Sequence, residues 1–399
     1  MPHHAPLAPE AFQEIPYLDY PQAEGSIRAI LAFDEPGLAD NLYDAVCEAA
    51  APTKAVVGLH RFLEVCGDPS SEARRLAQDG TYLRTLTTVF SESHFLTDII
   101  CRAPELAGWL REQGDLRRAC PKENMLTALL GDAGGFDDLE TCGRAMRRFR
   151  MREILRIAVR EIVVYAPIVS TTQDLSNLAD ATLEAALATA HATLQPRFGE
   201  PMCAMPNGDV VPSEFVVLGM GKLGGQELNF SSDIDLLFVY SGEGKTTGGT
   251  SPAITNAEYY QKLGELLIKA ISENTAEGLI FRIDMRLRPH GQVGPLAVSL
   301  DGAVEYYAEF GRAWERQALI KARPCAGNVA LGESFIERLR PFVFPKYFDD
   351  ATLEDIRDTK RQMEAKIASE GTTGRQVKLG RGGIRDIEFT VQILSLIHI

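Results

Sequence analysis

Three aspartates set the chemistry open to this chain. Asp233 and Asp235 stand two residues apart in "NFSSDIDLLFVY", and Asp284 stands in "FRIDMRLRP". On a strand, successive side chains alternate faces, so Asp233 and Asp235 point together while Ile234 and Leu236 face a core. Two carboxylates on one face repel unless a cation lies between them, which makes the pair a candidate Mg²⁺ site; read alone, it is equally a solvated strand edge. In the second run Phe281, Ile283, Met285 and Leu287 share one face and Arg282, Asp284, Arg286 and Arg288 the other. If these strands are neighbours, metal-binding carboxylates and phosphate-binding guanidiniums share one wall. That set suits phosphoryl or nucleotidyl transfer, in which acidic side chains hold the metal and cations hold the phosphate.

A glycine run stands just upstream. "EFVVLGMGKLGGQELNFSSDIDLLFVY" carries Gly219, Gly221 and Gly224 at the spacing of a dinucleotide fingerprint. That fingerprint must open a crossover helix, and here the next strand arrives too soon for one. A triphosphate loop fails as well, because Leu223 follows Lys222 where Ser or Thr must hold the metal. What remains is a glycine turn that lets backbone N–H groups approach a phosphate. Lys222 is either a point charge at that phosphate or a solvated turn lysine.

The elements that must position these residues follow from periodicity. Apolar residues recur at three- and four-residue spacing from about Ala23 to Gln195, predicting an N-terminal helical domain over 1–195. The Pro- and Gly-rich "QPRFGEPMCAMPNGDVVPSE" marks a boundary. Beyond it two strand-like runs, the loop "GEGKTTGGTSP", the amphipathic "TNAEYYQKLGELLIKAISENT" and the alternating "GLIFRIDMRLRP" predict an α/β domain over 196–330. Helical periodicity returns over 331–399, the start of a helical bundle. The chain stops inside the apolar run "GIRDIEFTVQILSLIHI", so the last helix reads as severed and the chain as part of a longer protein.

Composition narrows the partners. At 399 residues the chain predicts two or three domains, each able to bury a core. A formal charge of −14 disfavours nucleic acid, since a polyanion would be repelled in bulk. Seven scattered cysteines without a two-residue pair suit a reducing compartment, and neither a signal segment nor a spanning run is present, so the expectation is a cytoplasmic protein off the membrane.

A glycine turn, Asp-x-Asp on a strand and a lone Asp on a later strand resemble the polymerase-β-like nucleotidyltransferases. The longer runs "GMGKLGGQELNFSSDIDLLF", "FRIDMRLRPHGQVGPLAVSL", "YYAEFGRAWERQALIKARP" and "GRGGIRDIEFTVQ" are similar to the family of bifunctional glutamine synthetase adenylyltransferase/adenylyl-removing enzymes, from about Arg144 to Gln392. The resemblance implies an α+β fold, a mostly helical chain with an inserted nucleotidyltransferase domain built on a small mixed sheet. Of the family's two copies of that domain, "NFSSDIDL" and the preceding helical region look like the N-terminal one. That copy removes AMP from a tyrosine of glutamine synthetase by phosphorolysis, releasing ADP; the other copy, which adds AMP from ATP, would lie beyond residue 399. The ending "SLIHI" departs from the family's usual continuation.

Carried over by position, Asp233, Asp235 and Asp284 would bind Mg²⁺. Gly219, Gly221, Gly224 and Gly225 would form the phosphate-side turn, with Lys222 and Ser232 beside it. Arg286 and Arg288 would hold inorganic phosphate or the AMP phosphate, or else form cross-strand ion pairs. The family also implies control by a PII-type signal protein and by glutamine, for which no residues stand out. An alternative of another class is a catalytically silent nucleotide-sensing or partner-binding module.

Three further features stay open on sequence. Arg144, Arg148, Arg152, Arg156 and Arg160 recur every four residues, as an ion-paired face or a partner contact. Glu315, Arg316, Lys321 and Arg323 lie on "WERQALIKARP", as surface charges or site residues. Lys378, Arg381 and Asp386 surround a glycine turn before the last helix, as a cap or a wall of the nucleotide pocket.

Overall fold

The computed structural model describes residues 7–112, 116–131, 134–204 and 208–345, isolated positions at 354, 357–358, 360–362 and 364–365, and residues 377–378 and 382–397. The chain is α+β, mostly helical with small sheets. It divides into two compact units, one of Met1–Ala119 with Phe149–Asp174, the other of Cys120–Arg148 with Leu175–Ile399.

The first unit is helical. Helices α1 (Tyr20–Leu31), α2 (Leu38–Cys47), α3 (Pro52–Val65), α4 (Pro69–Gln78), α5 (Gly80–Glu92), α6 (His94–Arg102) and α7 (Glu105–Glu112) follow one another closely. Their starts are written in the sequence: the Asp19, Asp68, Asp79 and Ser93 side chains each accept from an amide of the following first turn. Each helix buries one apolar stripe, as α3 does with Leu59 and Phe62, the latter against Phe90 of α5. Gly58 is the close approach there, since a Cβ on it would lie 2.7 Å from the Phe90 Cβ.

The second unit is built on a mixed sheet. It begins with α8 (Lys122–Leu130); α9 (Leu139–Ile162) and α10 (Ile168–Phe198) each give residues to both units. Strands β1 (Pro201–Ala204), β2 (Val210–Pro212) and β5 (Gly244–Thr246) form a small antiparallel sheet. β5 lies inside the segment read as a Gly/Thr-rich loop. Gly244 permits it, because any Cβ there would stand 1.9 Å from the Met202 carbonyl oxygen.

The main sheet runs β6 (Ile283–Asp284), β4 (Ile234–Tyr240), β3 (Phe215–Met220) and β8 (Arg323–Gly327), with β7 (Ala297–Ser299) also on β4. β3 is antiparallel to β4 and β8, whereas β6 and β7 run parallel to β4. Every side chain of β3 is buried, and so is every one of β4 except Asp235. Such continuous apolar runs are what a strand covered on both faces requires. Helix α12 (Asn256–Ser272) opens with a capping box between Thr255 and Glu258 and brings Tyr260 onto the sheet, stacked on Phe215 and Tyr240 at 5.2 and 4.8 Å.

Helices α13 (Leu300–Glu309), α14 (Ala313–Leu319) and α15 (Val329–Val343) complete this core, on which Leu396 of the final helix Ile384–Ile397 also packs. That helix leaves Ile384, Ile387, Val391 and Leu394 exposed at three- and four-residue spacing. Among the described residues no helix is long and apolar enough to cross a membrane.

Candidate active site

The site grows from the end of β3. The strand runs into Gly221, whose φ of 53° lies in the left-handed region, and then a one-turn helix α11 (Gly221–Gly224) sends the chain back. A normal crossover helix is absent, as the short spacing to "SSDIDLL" predicts. Close approach also requires two of the glycines. A Cβ on Gly219 would stand 2.4 Å from Cys325 Sγ, and one on Gly224 would stand 2.0 Å from the Lys321 carbonyl oxygen. Gly225 is looser, meeting first the flexible Lys321 Cδ at 3.0 Å.

The returning chain places the carboxylates. Asp233 precedes β4 by one residue and is exposed, while Asp235 lies on β4, half-buried, with Ile234 and Leu236 fully buried on the opposite face. Asp235 is the register partner of Met220 on one side and of Asp284 on the other. A Cβ on Gly221 would come within 2.7 Å of Asp235 Oδ2, so the turn and this carboxylate touch. The sequence expectation that Asp284 lies beside the pair therefore describes the actual strand order.

The electrostatics bear out the crowding. Burial, then Asp284 and then Asp233, push the Asp235 carboxyl from its ordinary 3.8 up to about 6, against the opposing fields of Arg286 and Lys378. The Arg286 hydrogen bonds hold Asp284 below the ordinary range. Arg286 donates its backbone N–H to Asp284 Oδ1 at 2.9 Å and its guanidinium to both oxygens, with Nε at 2.8 Å from Oδ2. Asp233 is paired with Arg282, which also donates to the Ser231 carbonyl at 2.7 Å. As placed, no three acidic, His or Cys side chains among the described residues are grouped to hold one metal ion. The donor set itself fits a hard cation: all oxygens, with Asp235 destabilised by like charge that a cation would relieve.

The remaining candidates divide. Lys222, beside the turn, makes no ion pair among the described residues; Ser232 Oγ accepts from the Asn229 amide at 3.4 Å. Arg286 is exposed on the wall. Arg288 is not with it. β6 ends at Asp284, the chain turns, and buried Arg288 donates to the carbonyls of Met285, Gln292, Gly294 and Pro295. Strand alternation continued to Arg288 placed it on the phosphate wall; the carbonyl-lined loop claims its donors instead.

Sequence reading missed two partners. In the sequence Arg282 is marked only by the alternating face it shares, yet it is the cation on Asp233. Asp180, within the segment that the three- and four-residue apolar period predicts to be helical, is a buried acid that accepts from Arg323 at 2.7 Å. A charged residue on the inner face of a helix was the available signal.

Charged residues of the other features have partners within the fold. In the second unit Arg144 pairs with Glu140 and Arg148 with Glu277. In the first, Arg152 lies over the Trp109 ring at 5.0 Å, and Arg156 and Arg160 bind Asp174 in a buried network. Glu315 is buried and accepts from Tyr306 Oη at 2.9 Å; Arg316 donates to the Phe342 carbonyl; Lys321 pairs with Glu227 at 2.6 Å. Asp386 accepts from the Gly382 amide at 2.8 Å, and Arg381 lies outside the described residues.

Comparison with known proteins points one way. A family model described as glutamate-ammonia ligase adenylyltransferase matches residues 83–338, and one described as GlnD PII-uridylyltransferase matches residues 353–399. The bifunctional glutamine synthetase adenylyltransferase/adenylyl-removing enzyme of Pseudomonas syringae is 40% identical over 333 residues, 82% of this chain and 32% of that protein. The protein of that name from Thioalkalivibrio sulfidiphilus is 41% identical, covering 81% of this chain and 33% of its own length. That from Pseudomonas aeruginosa is 40% identical, covering 83% and 33%. The chain spans about a third of the length of the curated relatives it matches.

Proposed function

Because this chain belongs to the glutamate-ammonia ligase adenylyltransferase family, we propose that it is a cytoplasmic nucleotidyltransferase that removes AMP from a tyrosine of glutamine synthetase by phosphorolysis. ADP and the unmodified enzyme are the products. The observation that carries the reading is Asp235, touching the glycine turn on one side and facing Asp284 across a parallel strand pair on the other.

Each residue then has a part. Asp233, Asp235 and Asp284 would hold Mg²⁺, the outer two exchanging their present pairing with Arg282 and Arg286 for the ion. Bound there, Mg²⁺ would supply charge neutralisation at the phosphates and at the leaving oxygen. The turn from Gly219 to Gly225, with Lys222 within it and Ser232 after it, would receive a phosphate, and Arg286, freed from Asp284, would hold it. Arg288 stays with its loop. An oxygen of inorganic phosphate forms the new bond to the AMP phosphorus as the bond to the tyrosine oxygen breaks, and the phenolate takes a proton from water. No general base is needed, since inorganic phosphate is already an oxyanion and the phenol has an aqueous pKa of about 10.

The relatives' printed name couples adenylyltransferase and adenylyl-removing activities. The helical region ahead of the site supports the removing copy, and the match of residues 353–399 to a PII-uridylyltransferase model supports regulation by a PII-type protein. A second reading, a silent nucleotide-sensing module, is favoured by the arginines that already neutralise Asp233 and Asp284.

One comparison separates these readings. The chain is given either AMP-modified glutamine synthetase with inorganic phosphate or the unmodified enzyme with ATP, both with Mg²⁺. ADP from the first mixture alone is expected. AMP incorporation in the second would make this the adenylylating copy, and nucleotide binding without turnover in either would favour the sensing module.

A further inference from the structure

One face of α10 is spent on the glycine turn. Ser176 Oγ accepts from the Leu228 amide at 3.4 Å, just after the turn. Four residues on, Asp180 accepts from Arg323 Nη1 at 2.7 Å and Nη2 at 3.1 Å. Four further, Glu184 accepts from Lys122 Nζ at 2.9 Å and from the Gly327 amide at 3.3 Å. The four-residue period puts all three on one helix face, and that face meets β8 and the segment following the turn.

Arg323 is the member that reaches the turn itself. Gly219 is its register partner on β3. While two of its nitrogens hold Asp180, Nε donates to the Gly224 carbonyl at 3.3 Å and Nη2 to the Leu223 carbonyl at 3.1 Å. Those are the last two carbonyls of the one-turn helix α11; the Leu223 carbonyl also accepts from the Gln226 amide at 3.1 Å, while Arg323 caps that of Gly224. Asp180 is almost wholly buried, so its charge has little recourse to water and fixes the guanidinium. Lysine at 323 could reach Asp180 as a point charge, but it lacks the planar fork that serves two carbonyls and a carboxylate at once.

We infer that Arg323, oriented by Asp180, is a positioning residue that holds the glycine turn against Asp235. This rests on the functional reading above, in which the turn receives a phosphate. The turn is also closed by its own Gly225, Gln226 and Glu227 amides and held by the Lys321–Glu227 pair and the buried Leu223 side chain, none of which fixes the Gly224 carbonyl that Arg323 takes. A turn displaced by about 1 Å would misplace a bound phosphate, an error that costs on the order of 100-fold in rate.

The test compares Arg323→Lys with Glu184→Gln, which weakens the hold of the same helix face on β8 but not on the turn. In Arg323→Lys the amides of Gly225, Gln226 and Glu227 should exchange at least about 10-fold faster, while those of β3 and β4 keep their protection. Phosphorolysis should fall about 10- to 100-fold, with a raised KM for inorganic phosphate and an unchanged KM for the modified protein. Glu184→Gln should lower Tm without moving either readout. Wild-type exchange and kinetics in Arg323→Lys would overturn the inference, as would the same phosphate-specific defect in Glu184→Gln. If the parent chain turns over nothing, the functional reading fails and turn exchange alone decides: acceleration in Arg323→Lys sustains the clamp, and none refutes it.

Discussion

Asp235 and Asp284 face each other as register partners of the parallel strands β4 and β6. Burial and this opposing charge raise the Asp235 carboxyl to about 6. Between pH 3.8 and 6 the folded chain therefore binds more protons than the unfolded chain, so stability falls as pH rises through that window and stays lowered above it. Asp235→Asn removes the penalty. Without divalent cation it should gain about 1–2 kcal/mol at pH 7, with the gain shrinking toward pH 4, while activity drops by about 100-fold or more. Urea unfolding at the two pH values measures the first effect; a variant less stable than the parent at pH 7 would contradict it.

Gly221 tests the contact between turn and carboxylate. Alanine there must adopt a φ of 53° and place its Cβ 2.7 Å from Asp235 Oδ2. Backbone strain alone costs about 1–2 kcal/mol, and the displaced carboxylate should cost activity beyond that. Gly221→Ala is expected to be both less stable and less active, as seen by thermal unfolding and by rate per folded molecule. Unchanged kinetics would show that the turn and Asp235 do not work together.

The two arginines of "MRLRP" should separate cleanly. Arg286 lies exposed on Asp284, so Arg286→Gln should leave Tm within a few degrees and raise KM for inorganic phosphate. Arg288 satisfies four loop carbonyls from a buried position. Arg288→Met strands those carbonyls and should cost about 2–4 kcal/mol of stability. Equal Tm losses in the two variants would argue against this division.

That contrast shows what the sequence could and could not convey. Alternation is local, so the runs around Asp235 and Asp284 told which side chains share a face, and the missing crossover helix told that the chain returns at once. Arg288 obeyed the same alternation and still turned away, because β6 closes after Asp284 and carbonyls from residues 292 to 295 gather round its side chain. Nothing in the local pattern announces such a loop. The Asp180–Arg323 pair was hidden for a related reason, since it joins residues 143 apart in sequence through a tertiary contact. Its one trace was a charged residue among the apolar positions of α10.

His191 gives the second unit an acid sensitivity of its own. Burial lowers its pKa from 6.5 to about 4, with its ring 6.0 Å from that of Tyr259 and its Nδ1 3.3 Å from the Tyr259 hydroxyl. The folded chain keeps this imidazole neutral while the unfolded chain protonates it below 6.5. Stability should thus be fully present above pH 6.5 and decline as pH falls toward 4, by up to about 3 kcal/mol. His191→Gln should flatten that part of the curve; an unaltered slope would assign the acid loss to other groups.

Phosphorolysis by the three aspartates and the glycine turn would leave a direct trace in isotope transfer. The chain is incubated with AMP-modified glutamine synthetase, Mg²⁺ and radiolabelled inorganic phosphate, beside Asp233→Asn, Asp235→Asn and a sample without divalent cation. Label is expected in the terminal phosphate of ADP for the parent chain, and none in the variants or the metal-free sample. AMP released without label, or labelled ADP that survives Asp235→Asn, would contradict phosphorolysis at this site.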